Sequence, residues 1–275
     1  MNLIAALRAE FSKILTVRLW WVLLIVLVVY VGFTAGLLAL VFGGFGSEIA
    51  GAGGDVPQIP DAALPPIIYS IASSIGYVFP VLFGTLATTA EVHHQTLTPT
   101  FLATPRRGIV LTAKFVALAA MGGLYGIASL AASVGLGATI LSATGHDTGL
   151  GDSETWLLLA RVVLAMAIWA VIGVGLGALI PSQVAAIVIV LAFTQFLEPI
   201  LRLVALSWEW TAALGQYLPG AVSDALVGAS VFTTMGSPAG QSQSLEWWSG
   251  GLVLLAYAVV AGVFGYFTSW RRDVT

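Results

Sequence analysis

Apolar residues in this chain gather into six stretches of about twenty or more positions with almost no charge among them. They lie near Leu19–Phe42, Leu64–Ala90, Val110–Leu141, Trp156–Ile180, Val184–Leu206 and Ser249–Trp270. A helix of that length crosses the hydrocarbon core of a bilayer, about 30 Å thick. The pattern therefore predicts an all-α polytopic membrane protein with six transmembrane helices, forming one domain over residues 1–275. The third stretch exceeds a bare crossing, so its N-terminal part is expected to project into water. Pro181, Ser182 and Gln183 separate the fourth and fifth stretches and read as a tight turn. The first stretch is longer than the apolar core of a signal peptide, about 7–15 residues, and no small-residue cleavage pattern follows it; it reads as a retained span.

Ahead of the first span the period changes. Leu3, Ile4, Leu7, Phe11, Ile14 and Leu15 recur at helical spacing, with Arg8, Ser12, Lys13 and Thr16 elsewhere around the helix. Residues 1–18 thus read as an amphipathic interfacial helix on the membrane surface. Two roles are open to it: a basic topogenic anchor, or a lever that carries force from a partner to the first span. Leu7, Arg8, Phe11 and Lys13 are its candidate contact residues.

Composition agrees with the pattern. Hydrophobic residues make up 59% of the 275 and charged residues 8%, against about 25% charged in a soluble domain. A soluble protein this apolar could not cover its own surface. The absence of cysteine excludes disulfides and thiolate metal sites.

The few charges are unevenly placed. Arg8, Lys13, Arg18, Arg106, Arg107, Lys114, Arg271 and Arg272 fall on one side of a six-span topology. Arg161 and Arg202 fall on the other, close to span ends, where long side chains snorkel to the interface. The acids Glu48, Asp55, Asp61, Asp147, Asp152, Glu154, Glu198, Glu209, Asp224 and Glu246 share that second side. The positive-inside rule makes the basic side cytoplasmic and places both termini there. A seventh crossing over Tyr217–Met235 would move Arg271 and Arg272 outside and put Asp224 at mid-helix, at about 2.5–3.5 kcal/mol. Pro219 and Gly220 interrupt that segment as well. Residues 207–248 are therefore read as an extracellular segment of short helices that dip into the outer leaflet and return.

The loop after the second span, residues 91–109, holds the most informative polar sequence. Thr98 can cap a short helix with Pro99 at its first position, and Thr104 before Pro105 stops it. Such a helix displays Phe101 and Leu102 toward the cytoplasm, either as a knob for a partner's groove or as an anchor in the lipid interface.

Much chemistry is missing. No phosphate-binding Gly-x-x-x-x-Gly-Lys-Ser/Thr occurs, nor Gly-x-Ser-x-Gly, nor His-Glu-x-x-His. Glu91, His93 and His94 read as solvated groups at a helix end, since adjacent histidines diverge on a helix. No catalytic residue and no resident cofactor or metal is expected. Span interiors nearly free of ionisable groups speak against an ion-coupled carrier.

Within span two, Ser70, Ser73, Ser74, Tyr77, Gly84, Thr85 and Thr88 form a small, mildly polar stripe, and Pro80 is expected to kink the helix. The stripe is either the wall of a substrate path or a packing face with hydroxyls bonded to their own backbone; packing is favoured, because small residues mark helix interfaces. Gly32/Gly36, Gly122/Gly126 and Gly173/Gly177 read as packing pairs on the same ground.

The segment from Glu91 to Lys114, with Gln95-Thr96-Leu97-Thr98, Thr100, Leu102-Ala103-Thr104-Pro105 and Arg107 at their spacings, resembles the cytoplasmic loop of ABC-2 type transporter permeases. Gln95 stands where Gly is more usual there. Gln216-Tyr217-Leu218-Pro219-Gly220 is similar to a Tyr-Leu-Pro segment of the same family. The amphipathic N-terminus, six spans and tight turn agree, so the likeness runs over nearly the whole chain. The resemblance implies a permease subunit of an ATP-driven exporter in a bacterial cell membrane. Its cargo would be lipophilic or amphipathic: a drug, a peptide antibiotic or a lipid. ATP and Mg would belong to two copies of a partner ATPase, and a second permease copy, identical or related, would complete the path. Glu91, Thr96, Thr98, Pro99, Phe101, Leu102, Thr104, Pro105, Arg106 and Arg107 would carry the ATPase coupling. Ser70, Ser73, Ser74, Tyr77 and Thr85 are the candidate path residues. No nucleic-acid partner is implied. The alternative is an ion-coupled secondary transporter or another ATPase-independent multi-span protein.

Overall fold

A computed structural model describes residues 3–46, 59–93, 107–180, 182–205, 209–232 and 245–270. Every regular element among them is helical. Helix α1 is Leu3–Thr16, α2 Leu19–Ala39, α3 Leu64–Ser74, α4 Val78–His93, α5 Arg107–Ala143 and α6 Ser153–Leu179. They are followed by α7 Gln183–Ala192, α8 Glu198–Ala205, α9 Glu209–Gly215, α10 Pro219–Val227 and α11 Trp247–Gly265. Three π-helical turns, Leu40–Gly44, Phe193–Leu197 and Tyr266–Trp270, extend α2, join α7 to α8 and extend α11.

Among the described residues, six helical runs are long and apolar enough to cross a membrane: Leu19–Gly44, Asp61–Glu91, Gly108–Ala143, Ser153–Leu179, Gln183–Ala205 and Trp247–Thr268. This is the make-up of a multi-pass membrane protein, with boundaries within a few residues of the hydrophobic pattern. Burial sorts the spans. The second is 89% buried across its most apolar window and the fifth 22%, so span two is enclosed and span five presents Val184, Val188, Phe196 and Ile200 outward.

Helix α6 is the hub, packed on α3, α4, α5, α10 and α11. Glycine permits the close approach. A Cβ on Gly173 would lie 2.3 Å from the Val81 carbonyl oxygen, and one on Gly177 2.5 Å from that of Thr85, so α4 rests on bare α6 backbone. Gly122 and Gly126 meet α6 at Met166 and Val163 in the same way, while Gly32 and Gly36 face Leu136 and Ile140 of α5. All three glycine pairs sit at helix interfaces, as small residues do in membrane bundles.

Span two is broken upstream of Pro80. Helix α3 ends at Ser74 and α4 starts at Val78. Pro80 has no N–H, and its ring crowds the carbonyl four residues back, at Gly76. That carbonyl accepts instead from Phe79 N at 3.1 Å. The break therefore falls at Ile75–Tyr77, and Gly76 is needed there because a Cβ would lie 2.1 Å from the Ala72 oxygen. Pro199 acts alike on Gln195, inside the π-helical turn before α8.

Two further expectations are corrected. The N-terminal part of span three does not project freely: Val110, Ala113 and Lys114 are buried, and α1 packs along α5. Arg202 does not snorkel to the interface; its side chain is 11% exposed and pairs with Glu198 and Asp224. The connection between α6 and α7 is three residues long, and the Ser182 hydroxyl caps α7 by accepting from Ala185 N.

Candidate functional site

The first concentration of charge lies where α1, the end of α4 and the start of α5 meet. Lys114 Nζ donates to Glu10 Oε2 at 2.9 Å and lies 3.0 Å from Glu91 Oε1. Lys13 Nζ donates to Glu10 Oε1 at 2.7 Å and to Glu91 Oε1 at 2.9 Å. Among the described residues, two lysines and two glutamates thus form a charged quartet across three helices. Lys114, Glu10 and Glu91 are buried; Lys13 is half-exposed. Burial alone would raise the Glu10 pKa, but Lys114 and Lys13 hold it below the ordinary carboxylate value. Burial likewise disfavours charged Lys13, and Glu91 and Glu10 outweigh it and push its pKa up. Both groups are locked in their ionised forms at neutral pH.

The geometry of α1 explains why Glu10 is inside. Ala6, Glu10 and Ile14, four residues apart, form the buried line of the helix. Leu3, Ile4 and Leu15 of the anticipated apolar stripe are exposed, Leu7 and Phe11 are half-buried, and Arg8 points out. The helix thus turns one apolar edge outward and sets an acid against the base of α5. Of this packed line, only Ile14 belongs to the stripe anticipated from sequence.

Glu91 and Lys114 flank the loop that sequence reading singled out. Thr96, Thr98, Pro99, Phe101, Leu102, Thr104, Pro105 and Arg106 lie outside the described residues. Arg107 begins α5, its side chain also outside them.

The span-two stripe is buried throughout. Ser70 donates to Ile67 O at 2.7 Å and Ser73 to Ser70 O at 3.0 Å. Thr85 donates to Val81 O at 2.7 Å and reaches Gly173 O at 3.1 Å on α6. Ser74 and Tyr77 differ, because their hydroxyls leave the helix and join a second network.

That network brings together residues scattered in sequence. Arg202 Nη1 donates to Asp224 Oδ2 at 2.7 Å, and its Nη2 to Glu198 Oε1 at 3.1 Å. Ser74 donates to Asp224 Oδ1 at 2.8 Å, Ser230 to Asp224 Oδ2 at 2.6 Å and Tyr77 to Glu198 Oε2 at 3.0 Å. Gly220 N also donates to Glu198. The Tyr77 ring stacks on Trp169 with centroids 4.5 Å apart, and Trp169 donates to Ser223 at 3.0 Å. A cavity of about 110 Å³ lies here, lined by Ser74, Tyr77, Thr194, Glu198, Arg202 and Phe232 among others. The expectation of span interiors nearly free of ionisable groups is corrected at this point. Glu198 and Arg202 lie on the fifth span, and Asp224 arrives from α10, which belongs to no span.

No family model matches the chain, and no curated protein matches it.

Proposed function

We propose that this chain is the membrane-spanning permease subunit of an ATP-driven exporter of the ABC-2 type, working with two copies of a separate ATPase and a second permease copy. The observation that carries the reading is the quartet. It ties the N-terminal helix to both helices that flank residues 94–106, which lie within the segment from Glu91 to Lys114 that resembles the family's ATPase-contacting loop. A push on that loop is then delivered to α1, α4 and α5 together, because Glu91 and Lys114 at its two ends are both paired with α1. ATP and Mg act in the partner; this chain supplies a path whose accessibility changes with conformation.

The charge distribution supports a bacterial cell membrane location with both termini cytoplasmic. The bond from Ser74 to Asp224 supports re-entry of the segment between spans five and six, since Ser74 lies roughly 15 Å along the helix from Leu64. An apolar bundle suits lipophilic or amphipathic cargo such as a drug, a peptide antibiotic or a lipid.

Co-purification tests the reading. A P-loop ATPase encoded beside this chain is expected to purify with it. The pair Phe101→Asp and Leu102→Asp should abolish that association while leaving the membrane fold intact. Unchanged assembly would sink the coupling assignment. The buried charges at Glu198, Arg202 and Asp224 favour a second reading, an ion-coupled carrier. Transport into vesicles driven by an ion gradient, without any ATPase, would establish it.

A further inference from the structure

We infer that Arg161, backed by the ring of Trp247, is a headgroup-phosphate site for an anionic phospholipid held at the flank of spans four and six. The site does not depend on the transport reading; only the leaflet that supplies the lipid rests on the topology proposed above.

Arg161 lies in the third turn of α6, within the fourth span. Leu157, four residues before it, and Leu164, three after it, are both exposed. Helical spacing puts the three on one face, while Val162, Ala165 and Met166 fill the core on the other side. The arginine, itself half-buried, therefore stands in a stripe that faces lipid. A charge there needs a counter-charge, and the protein supplies no carboxylate. Among the described residues Lys13, Lys114 and Arg202 each meet a carboxylate and Arg161 meets none. Glu246, just before α11, accepts from Trp248 instead.

What Arg161 does meet is a ring. Its guanidinium carbon lies over Trp247, 4.7 Å from the centroid. A guanidinium over an indole is held in place and shielded on one face, while the donors at its edge stay free. Two parallel N–H donors match two phosphate oxygens. The level along the helices is that of a headgroup. Trp156 in the first turn of α6 and Trp247 and Trp248 at the start of α11 are all exposed, and exposed tryptophans gather at the membrane–water interface. A helical side chain leans toward the N-terminus of its helix, so Arg161 leans toward that level. Both α6 and α11 begin there, and the start of a helix favours an anion. A headgroup of net charge minus one cancels the arginine, which a zwitterionic one does not. Leu164, one turn deeper, then meets an acyl chain.

Native mass spectrometry of the purified full chain in detergent counts what stays bound. The probes are dioleoyl phosphatidylglycerol, dioleoylglycerol, which lacks the phosphate, and inorganic phosphate. The unaltered chain is expected to retain one phosphatidylglycerol that Arg161→Gln loses, with affinity falling about tenfold or more, as for lost bonds to a charged group. Dioleoylglycerol should be retained equally by both; if it falls as phosphatidylglycerol does, the arginine acts through shape and the phosphate assignment is overturned. Equal retention of phosphatidylglycerol by both chains overturns the site. Displacement of the lipid by inorganic phosphate also overturns it, since that marks a site for a free anion. So does loss of a second copy of the chain from Arg161→Gln with phosphatidylglycerol retained, because the counter-charge is then protein. If Arg161→Gln does not fold, Arg161→Lys decides. It keeps the charge but not the fork, so retention several-fold weaker supports the site and retention equal to that of the unaltered chain overturns it.

Discussion

Lys114→Met is the most direct test of whether the quartet acts as a unit. Lys114 Nζ lies 2.9 Å from one carboxylate oxygen and 3.0 Å from another, with its side chain 3% exposed. At an effective dielectric near 20, each such pair has a gross attraction of roughly 6 kcal/mol. Desolvation offsets much of this, and the measured cost of removing one partner from a buried pair is about 3–5 kcal/mol. Methionine keeps the length of the side chain but removes the positive charge that Glu10 and Glu91 share. Adding Glu10→Gln removes one negative charge as well and keeps the Lys13–Glu91 pair at 2.9 Å. The double variant should therefore be more stable than Lys114→Met, with a coupling energy of about 2 kcal/mol. Reversible unfolding in mixed micelles by increasing SDS measures each corner of the cycle. ATPase recovery in co-purification should follow the same order. If the two single costs add to within about 0.5 kcal/mol, the four charges are not coupled and the quartet cannot transmit force.

Three further outcomes follow from particular contacts. Gly173→Ala should cost about 1–3 kcal/mol, because its Cβ would meet the backbone of Val81; Gly108→Ala, with nothing within 4 Å, should be neutral or stabilising by up to about 1 kcal/mol in thermal unfolding. Tyr77→Phe keeps the stack on Trp169 but removes the donor to Glu198, for a loss of about 1–3 kcal/mol; Tyr77→Leu should lose clearly more in the same assay. The Glu10 pKa is depressed by folding, so its contribution is present above the usual carboxylate value near 4.5 and lost as pH falls through the lower folded value. The Lys13 pKa is raised, so its contribution is present below about 10.5 and lost as pH rises beyond it. Melting temperature against pH should thus show an acid limb that Glu10→Gln flattens.

Some of this was legible in sequence because membrane spans are written locally. Twenty apolar positions must form a helix in lipid, where every backbone group needs a partner within its own segment. That single constraint placed six helices within a few residues, and small-residue spacing placed Gly122/Gly126 and Gly173/Gly177 at interfaces. Proline was legible too, but its effect appears at Gly76 rather than at Pro80, because the ring acts on the carbonyl one turn back.

The pairing of charges was not legible. Glu10 resembled any polar residue of a surface helix until α5 packed along its Ala6–Ile14 line. Arg202 and Asp224 looked like interface residues in separate segments. Local pattern determines which stretches enter the membrane, since transfer free energy is summed residue by residue. Which of the few ionisable groups meet there depends on how α1 and α10 pack against the spans. Only that packing decides whether a lone charge is intolerable or, as at Lys114 and Asp224, the group that joins three helices.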